Sequence, residues 1–181
     1  MKAVAFTGAG ISKSAGIPTF DEYPELRGKL SVEFKLKHPK EFNEAKMLLV
    51  NNVKDKEPTK AHKILAKLQI PVITMNIDNL HRKAGSKKVI EIHGNYLSDN
   101  IVLYGQDMHD SEDALTLVIK TAREAQKNNE NAVLLIIGTS MQIAFVHVLV
   151  WAANQYGMKD LYIDKDADTE VEQFFKRCNM I

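Results

Sequence analysis

The chain has 181 residues, of which 45% are hydrophobic and 26% charged, and its formal net charge is +1. This balance is typical of one globular domain and gives no charge-driven reason to bind nucleic acid or a membrane. The longest apolar run, residues 132–138, is far shorter than the ~20 residues that span a bilayer. The single cysteine excludes an intrachain disulfide and a cysteine-based zinc cluster. Because Gly8, Gly10 and Ser12 also interrupt any signal-peptide core, we expect a cytoplasmic protein whose single domain covers residues 1–181.

Strands and helices alternate along the chain. The stretch AVAFTGAG predicts a buried strand that runs into a glycine turn, and further strand signals occur at residues 70–76, 88–94, 100–105, 132–138 and 160–164. Apolar residues at helical spacing predict helices over residues 40–53, 58–69, 111–129, 144–157 and 168–177. Ser111 is the expected N-cap of the third helix. Strands that are apolar on both faces and separated by helices predict an α/β fold with a Rossmann-like, doubly wound parallel sheet.

The Lys-rich segment 28–57 breaks this alternation. It predicts either a small helical excursion that forms a cofactor loop, or simply a solvated face. No repeat or flexible linker divides the chain, so the segment is expected to be part of the same domain.

The glycine turn after the first strand is the first candidate for chemistry. In an open parallel sheet, a turn such as Gly8-Ala9-Gly10 lets backbone N–H groups approach a pyrophosphate. The spacing departs from the dehydrogenase fingerprint, because Lys13 holds the third glycine position and no acidic residue ends a second strand ~20 residues on. A hydride-transferring dehydrogenase is therefore disfavoured. A tight turn without a ligand would produce the same spacing.

Four segments taken together are more specific than the turn. They read GAGISKSAGIPTF (residues 8–20), TMNIDNLHRKAG (74–85), IEIHGNY (90–96) and GTS (138–140). They occur in the order and at roughly the spacing of the sirtuin family, which the chain resembles from its first strand to its last. The resemblance implies NAD as the cofactor and an acyl-lysine protein or peptide as the partner.

The resemblance also implies roles for individual residues. His93 would be the general base that acts on hydroxyls of the nicotinamide ribose, and its ordinary pKa of ~6.5 suits proton transfer near neutral pH. Asn76 would lie beside the ribose and the attacking water, and Asp78 would bind the nicotinamide carboxamide. A lone histidine at a strand end is more often structural, and both Asn76 and Asp78 could instead cap the next helix. The other implied cofactor contacts are Gly8, Ala9, Gly10, Ser12, Ile17, Phe20, Ile77, Gly138, Thr139, Ser140 and Asp164.

Some positions depart from the family pattern. Asp21 stands where many sirtuins have an arginine, and Met75 stands where they have a ribose-binding glutamine. Phe20 is expected in the wall of the nicotinamide pocket, although core packing would explain it too. Only six residues, NYLSDN, follow Gly94 before Ile101, where most sirtuins carry two C-x-x-C pairs that bind zinc. The resemblance therefore implies a compact form without the zinc module, with a reduced small subdomain and no metal.

The segment IVLYGQ, residues 101–106, resembles the strand that pairs with an acyl-lysine peptide in sirtuins. Ile101, Tyr104 and Gly105 would contact the peptide, and Gln106 replaces the usual acid. These features predict an NAD-dependent deacylase that releases nicotinamide, free lysine and O-acyl-ADP-ribose.

Two other functions stay open at this stage. An NAD glycohydrolase or ADP-ribosyltransferase is favoured by Met75, Asp21 and the lost module. A non-catalytic NAD-sensing module is the third alternative. Against it stands the presence of His93 together with Asn76 and Asp78, because binding alone needs no base.

Overall fold

A five-stranded parallel sheet forms the centre of the molecule. This computed structural model describes residues 1–19, 22–98, 100–140 and 143–181. The strands are β1 (Lys2–Thr7), β2 (Val72–Thr74), β3 (Val89–Glu91), β4 (Ala132–Ile137) and β5 (Lys159–Ile163). Their order in the sheet is β3-β2-β1-β4-β5, which confirms the predicted Rossmann-like, doubly wound α/β fold. The chain order changes direction between β1 and β4, and such a switch point is where open parallel sheets bind ligands.

Both faces of the sheet are covered, as the apolar strands predict. Along β1, Val4 and Phe6 pack on one face and Ala3 and Ala5 on the other, because successive side chains of a strand point to opposite sides. The first face is covered by α6 (Ser111–Lys127) and α7 (Ala144–Gln155). The second face is covered by α4 (Lys60–Lys67) and α8 (Ala167–Arg177).

Five shorter or additional helices complete the described chain. A 3₁₀ helix (Ala9–Ala15) follows β1, and α5 (Leu80–Lys83) follows β2. Between the 3₁₀ helix and α4 lie α1 (Pro24–Lys29), α2 (Val32–Lys37) and α3 (Pro39–Val53). Helices α1 and α3 share a small apolar cluster of their own with Leu103, formed by Leu26, Leu30, Phe42 and Ala45. Much of segment 28–57 is thus helical, and part of it is buried.

Two sequence-based predictions of local structure are wrong. Ser111 is the first residue of α6 and not its N-cap, because the carbonyl of Asp110 already accepts a hydrogen bond from the Ala114 N–H at 2.9 Å. Residues 100–105 do not join the sheet. Their one strand-like feature in the described chain is an isolated parallel bridge between Ser31 and Tyr104. The segment extends no further as a strand, because it forms a turn in which the Gln106 N–H donates to the Leu103 carbonyl at 3.0 Å.

Within the described residues, every helix is too short or too polar to cross a membrane.

Candidate functional site

The five strands end side by side. Thr7 of β1 pairs with Thr74 of β2 and with Ile137 of β4. Thr74 in turn pairs with Glu91 of β3, and Ile137 pairs with Ile163 of β5. The segments that leave these strands therefore emerge at one edge of the sheet, and they contain the predicted site residues Gly8, Ala9, Gly10, Asn76, His93, Gly138 and Asp164.

Three glycines bring the turn after β1 against the loop after β4. The Gly10 N–H donates to the Gly138 carbonyl at 2.8 Å. A Cβ added to Gly10 would lie 2.5 Å from the Gly138 Cα, and one added to Gly8 would lie 2.8 Å from the Gly138 oxygen. Gly138 itself has a φ of 60°, in the left-handed region that favours glycine. Close backbone packing is thus one reason for these glycines, and it places the turn at the switch point.

A buried hydrogen-bond network joins the segment after β2 to this turn. The Asn76 side-chain amide donates to the Gly8 carbonyl and to the Ser12 hydroxyl, both at 3.1 Å. The Ser12 hydroxyl donates to Asp78 Oδ2 at 2.6 Å, and Asn76 Nδ2 lies 3.2 Å from the same oxygen. Ser12 and Asp78 are both buried. Three residues predicted to bind the cofactor therefore form one connected unit.

Asp78 also takes part in starting α5. Its Oδ1 accepts a hydrogen bond from the Leu80 N–H at 2.9 Å, while the N-cap position of α5 belongs to Asn79. One carboxylate oxygen thus orders the helix start, and the other joins Ser12. Asp78 therefore contributes to the helix start through Oδ1 and to the candidate site through Oδ2.

His93 lies two residues beyond the end of β3. Its carbonyl accepts from the Val102 N–H at 3.0 Å, which fixes the backbone at this position. Burial lowers the pKa of His93 below its usual 6.5; a hydrogen bond with the Met75 backbone opposes this shift, and the nearby His109 adds to it. His93 is therefore neutral at pH 7, and its hydrogen bond joins it to the Met75 backbone, the residue before Asn76.

The loop after β4 provides hydroxyl groups at the same edge. Thr139 Oγ1 is buried and has no hydrogen-bond partner in the part of the chain that the structure describes. Ser140 is exposed, and Asp164 is exposed directly after β5. An orphaned buried hydroxyl next to a glycine turn fits a ligand with phosphate or sugar oxygens. The residues present are therefore compatible with a dinucleotide such as NAD.

The apolar residues expected around the nicotinamide ring have different surroundings. Ile17 is buried against Val53 and Leu80, and it also lines a shallow pocket that opens to solvent beside α1 and α3. Ala9 and Ile77 are partly exposed. Phe20 and Asp21 lie outside the described residues.

The predicted peptide-binding residues are engaged with the rest of the chain. The Tyr104 N–H donates to the Leu30 carbonyl at 3.0 Å, and the Tyr104 carbonyl accepts from the Val32 N–H at 3.1 Å. The Leu103 N–H donates a hydrogen bond to Oε1 of the Gln106 side chain at 2.8 Å. Ile101 is partly buried, whereas Gly105, with a φ of 93°, is exposed.

The short connection after His93 is closed by Asn100. Its side-chain oxygen accepts from the Asn95 N–H at 3.0 Å and from the Ser98 hydroxyl at 2.6 Å. A Cβ on Gly94 would collide with the Asn100 carbonyl, so the connection is tightly folded. Over the described ranges, no group of three or more His, Cys, Asp or Glu side chains is arranged to hold a metal ion.

Sequence reasoning missed two buried histidines below the glycine turn. His62 of α4 and His81 of α5 are 0% and 2% exposed. Their rings pack with centroids 4.5 Å apart. The available signal was a histidine on the apolar face of each helix, at positions such as the one between Ala61 and Ile64.

Comparisons with known proteins agree with this geometry. A model of the Sir2 family matches residues 8–102. An NAD-dependent protein deacylase of Aeropyrum pernix is 43% identical over 107 residues, which cover 52% of this chain and 43% of that protein. An NAD-dependent protein deacylase of Pyrococcus furiosus is 29% identical over 226 aligned positions, which cover 97% of this chain and 87% of that protein.

The fold likeness extends over nearly the whole chain. A solved structure of Sir2 bound to acetylated peptide has a TM-score of 0.78 and 25% identity, and the match covers 99% of this chain and 94% of that one. In sequence, the chain spans about half the length of most of the curated relatives it matches.

Proposed function

Since this chain belongs to the Sir2 family, we propose that it is an NAD-dependent protein lysine deacylase. It would cleave the nicotinamide glycosidic bond of NAD and transfer the acyl group of an acyl-lysine side chain to ADP-ribose. The observation that carries this proposal is the common edge of the sheet. There the Asn76–Ser12–Asp78 network is hydrogen-bonded to the glycine turn, and His93 follows the neighbouring strand β3.

The residues at this edge divide into three groups by the part of NAD that each would hold. The turn Gly8–Gly10 and the hydroxyls of Thr139 and Ser140 would bind the diphosphate, since backbone N–H groups and hydroxyls suit phosphate oxygens. Asp164 would accept hydrogen bonds from the adenosine ribose. Asp78, oriented by Ser12 at 2.6 Å, would accept from the nicotinamide carboxamide. NAD supplies the glycosidic bond that breaks and the ADP-ribose that accepts the acyl group.

His93 would act as the general base. Its lowered pKa keeps the ring neutral at physiological pH, so it is able to take a proton from a ribose hydroxyl. Asn76, held by hydrogen bonds to Gly8 and Ser12, would position the ribose beside it. Ile101, Tyr104 and Gly105 would contact the acyl-lysine peptide.

The test is nicotinamide release from NAD by the purified protein, with and without an acetyl-lysine peptide, while mass spectrometry follows the products. A deacylase releases nicotinamide only with the peptide and forms O-acetyl-ADP-ribose. Tight NAD binding with no nicotinamide release in either condition would contradict catalysis and favour an NAD-sensing module.

An NAD glycohydrolase or ADP-ribosyltransferase is the second candidate, and one observation favours it. The backbone groups of Tyr104 and Leu103 are already hydrogen-bonded, to residues 30–32 and to Gln106. A peptide strand would have to pair elsewhere on this segment or displace Gln106. Release of nicotinamide without peptide, with ADP-ribose as the product, would support this candidate.

We also propose that residues 1–181 work as one catalytic domain in the cytoplasm. The support for this location is the single cysteine, because disulfides are common in secreted proteins and rare in cytosolic ones. Fractionation of cells that produce the protein would test the location.

A further inference from the structure

The glycine turn is anchored at both ends to buried histidines. Thr7, the residue before the turn, has its hydroxyl 2.9 Å from Nε2 of His81. Ile11, the residue after the turn, has its carbonyl bonded by the Thr59 hydroxyl at 3.2 Å, and that hydroxyl lies 2.7 Å from Nδ1 of His62. The two ends of one turn are therefore tied to two neighbouring rings.

The hydrogen bonds around Thr59 are consistent with a hydrogen on His62 Nδ1. A threonine hydroxyl has one proton to donate and two lone pairs. Thr59 donates its proton to the Ile11 carbonyl and accepts from the His62 backbone N–H at 3.4 Å. The remaining lone pair then accepts from His62 Nδ1 in the tautomer that carries a hydrogen on that nitrogen. In that tautomer the link from Ile11 to His62 is directional and uses every bonding position of the hydroxyl.

The two histidine rings are joined by packing and are uncharged. Their centroids are 4.5 Å apart and their planes are inclined at 55°. His62 Nε2 and His81 Nδ1 are buried without a hydrogen-bond partner among the described residues. Burial lowers the pKa of His62 to about 4, although Asp78 and Asp168 oppose the shift. Burial, helped by His62, lowers the pKa of His81 well below its usual value.

We propose that His62 and His81 are positioning residues that clamp the glycine turn. Through Thr7 and Thr59, the packed rings hold the two ends of the turn at a fixed separation, so that its backbone N–H groups stay arranged for a diphosphate. This inference rests on the proposed function in one respect, namely that the turn binds the diphosphate of NAD. Two core histidines that only fill space would not need directional links to both ends of the same turn.

A crossed pair of amide substitutions separates this clamp from simple packing. The amide nitrogen of asparagine takes the place of a histidine Nδ1, and that of glutamine takes the place of Nε2. His62→Asn therefore keeps the donor to Thr59, whereas His62→Gln removes it. His81→Gln keeps a polar group opposite Thr7, whereas His81→Asn removes it. The favoured amide is opposite at the two positions.

The probe is ADP-ribose, whose dissociation constant is measured by calorimetry for the wild type and the four variants. We expect each variant that breaks its link to bind ADP-ribose about tenfold more weakly than the matched variant that keeps it, the loss of roughly one hydrogen bond. In turnover, KM for NAD should separate the members of each pair, while kcat at saturating NAD should not. Equal effects of asparagine and glutamine at both positions, or a ranking that follows only the melting temperature, would overturn the clamp.

A second measurement, hydrogen–deuterium exchange, tests the clamp even if the protein does not bind ADP-ribose or a histidine variant does not fold. Hydrogen–deuterium exchange over residues 5–14 should be faster in the link-breaking variants than in their partners, even without ligand. If wild-type protein does not bind ADP-ribose, the proposed function fails, but this exchange comparison still decides whether the clamp exists. If a histidine variant does not fold, Thr7→Ser and Thr7→Val repeat the comparison from the other end of the His81 link. Identical exchange in those two variants would rule the clamp out.

Discussion

His93 is the residue on which the proposed chemistry depends most directly. It is neutral at pH 7 because burial lowers its pKa, and it lies two residues beyond the end of β3. His93→Ala should lower the rate of NAD-dependent acyl transfer by at least ~10²-fold, the usual contribution of a general base. The measurement is turnover at saturating NAD and peptide. His38→Ala is the control, because His38 is exposed and pairs with Glu41 at the start of α3. Equal turnover in both variants would remove His93 from the reaction.

Ser12 offers a second test at the level of single residues, with a control from the same helix. Its hydroxyl donates to the buried Asp78 at 2.6 Å, whereas the Ser14 hydroxyl donates to Asp168 at 2.7 Å on the exposed side. Ser12→Ala should weaken NAD binding by about 10- to 100-fold, because a hydrogen bond to a buried carboxylate contributes about 1.5–3 kcal/mol. Ser14→Ala should leave NAD affinity nearly unchanged. Comparable losses in calorimetric titrations of both variants would argue against Asp78 as a cofactor ligand.

The contact between the glycine turn and the loop after β4 is a property of two elements. A Cβ on Gly10 would lie 2.5 Å from the Gly138 Cα. Because that Cα is a backbone atom, it cannot turn aside as a flexible side chain would. Gly10→Ala should therefore lower the free energy of unfolding by about 3 kcal/mol, the upper end for overpacking. Gly28→Ala is the matched substitution, since nothing lies within 4 Å of its Cβ position in α1. There alanine should raise the free energy of unfolding by about 0.5–1 kcal/mol. Urea denaturation compares the two variants, and a similar cost at both positions would contradict the contact.

Local sequence pattern was sufficient for the strands that are apolar along most or all of their length. The fully apolar β4 and the strand before the glycine turn were predicted within a few residues, because parallel strands are buried on both faces. The segment at residues 100–105 was predicted as a strand and is not one. Its conformation depends on Leu30 and Val32, which lie about 70 residues earlier in the chain and form backbone hydrogen bonds with Tyr104. No local period records such a contact.

In the candidate site too, some features follow from local sequence pattern and others depend on contacts between distant residues. The row of strand ends follows from a parallel sheet with residues of the right type after each strand, so the sequence predicted which residues would share an edge. The histidine clamp was not foreseen, because Thr7 and His81 are 74 positions apart and the Ile11 carbonyl is bonded by Thr59, 48 positions later. An ordinary helix pattern explains a buried histidine equally well, until the threonine that each ring contacts is known.

At the scale of the whole molecule, the buried histidine pair ties folding stability to pH. Above the ordinary pKa of 6.5, His62 is neutral in the folded and unfolded states alike, and stability is at its full value. Between pH 6.5 and about 4, the unfolded chain binds a proton at His62 that the folded protein does not. The free energy of unfolding therefore falls as the pH falls through this window. The effect of His62 levels off below about 4, where the folded state is protonated too.

The size of this effect makes it measurable. For His62, a pKa that burial lowers from 6.5 to about 4 corresponds to about 3 kcal/mol of stability lost by pH 4, and His81 acts in the same direction. Urea denaturation at pH 7, 6, 5 and 4.5 should show this slope in the wild type and in His38→Ala. His62→Asn should be less stable at pH 7 yet show a shallower slope, because it no longer carries an imidazole that the unfolded chain protonates. An identical slope in His62→Asn and the wild type would place the acid sensitivity in other groups and would mean that His62 takes up its proton as readily in the folded protein as in the unfolded chain.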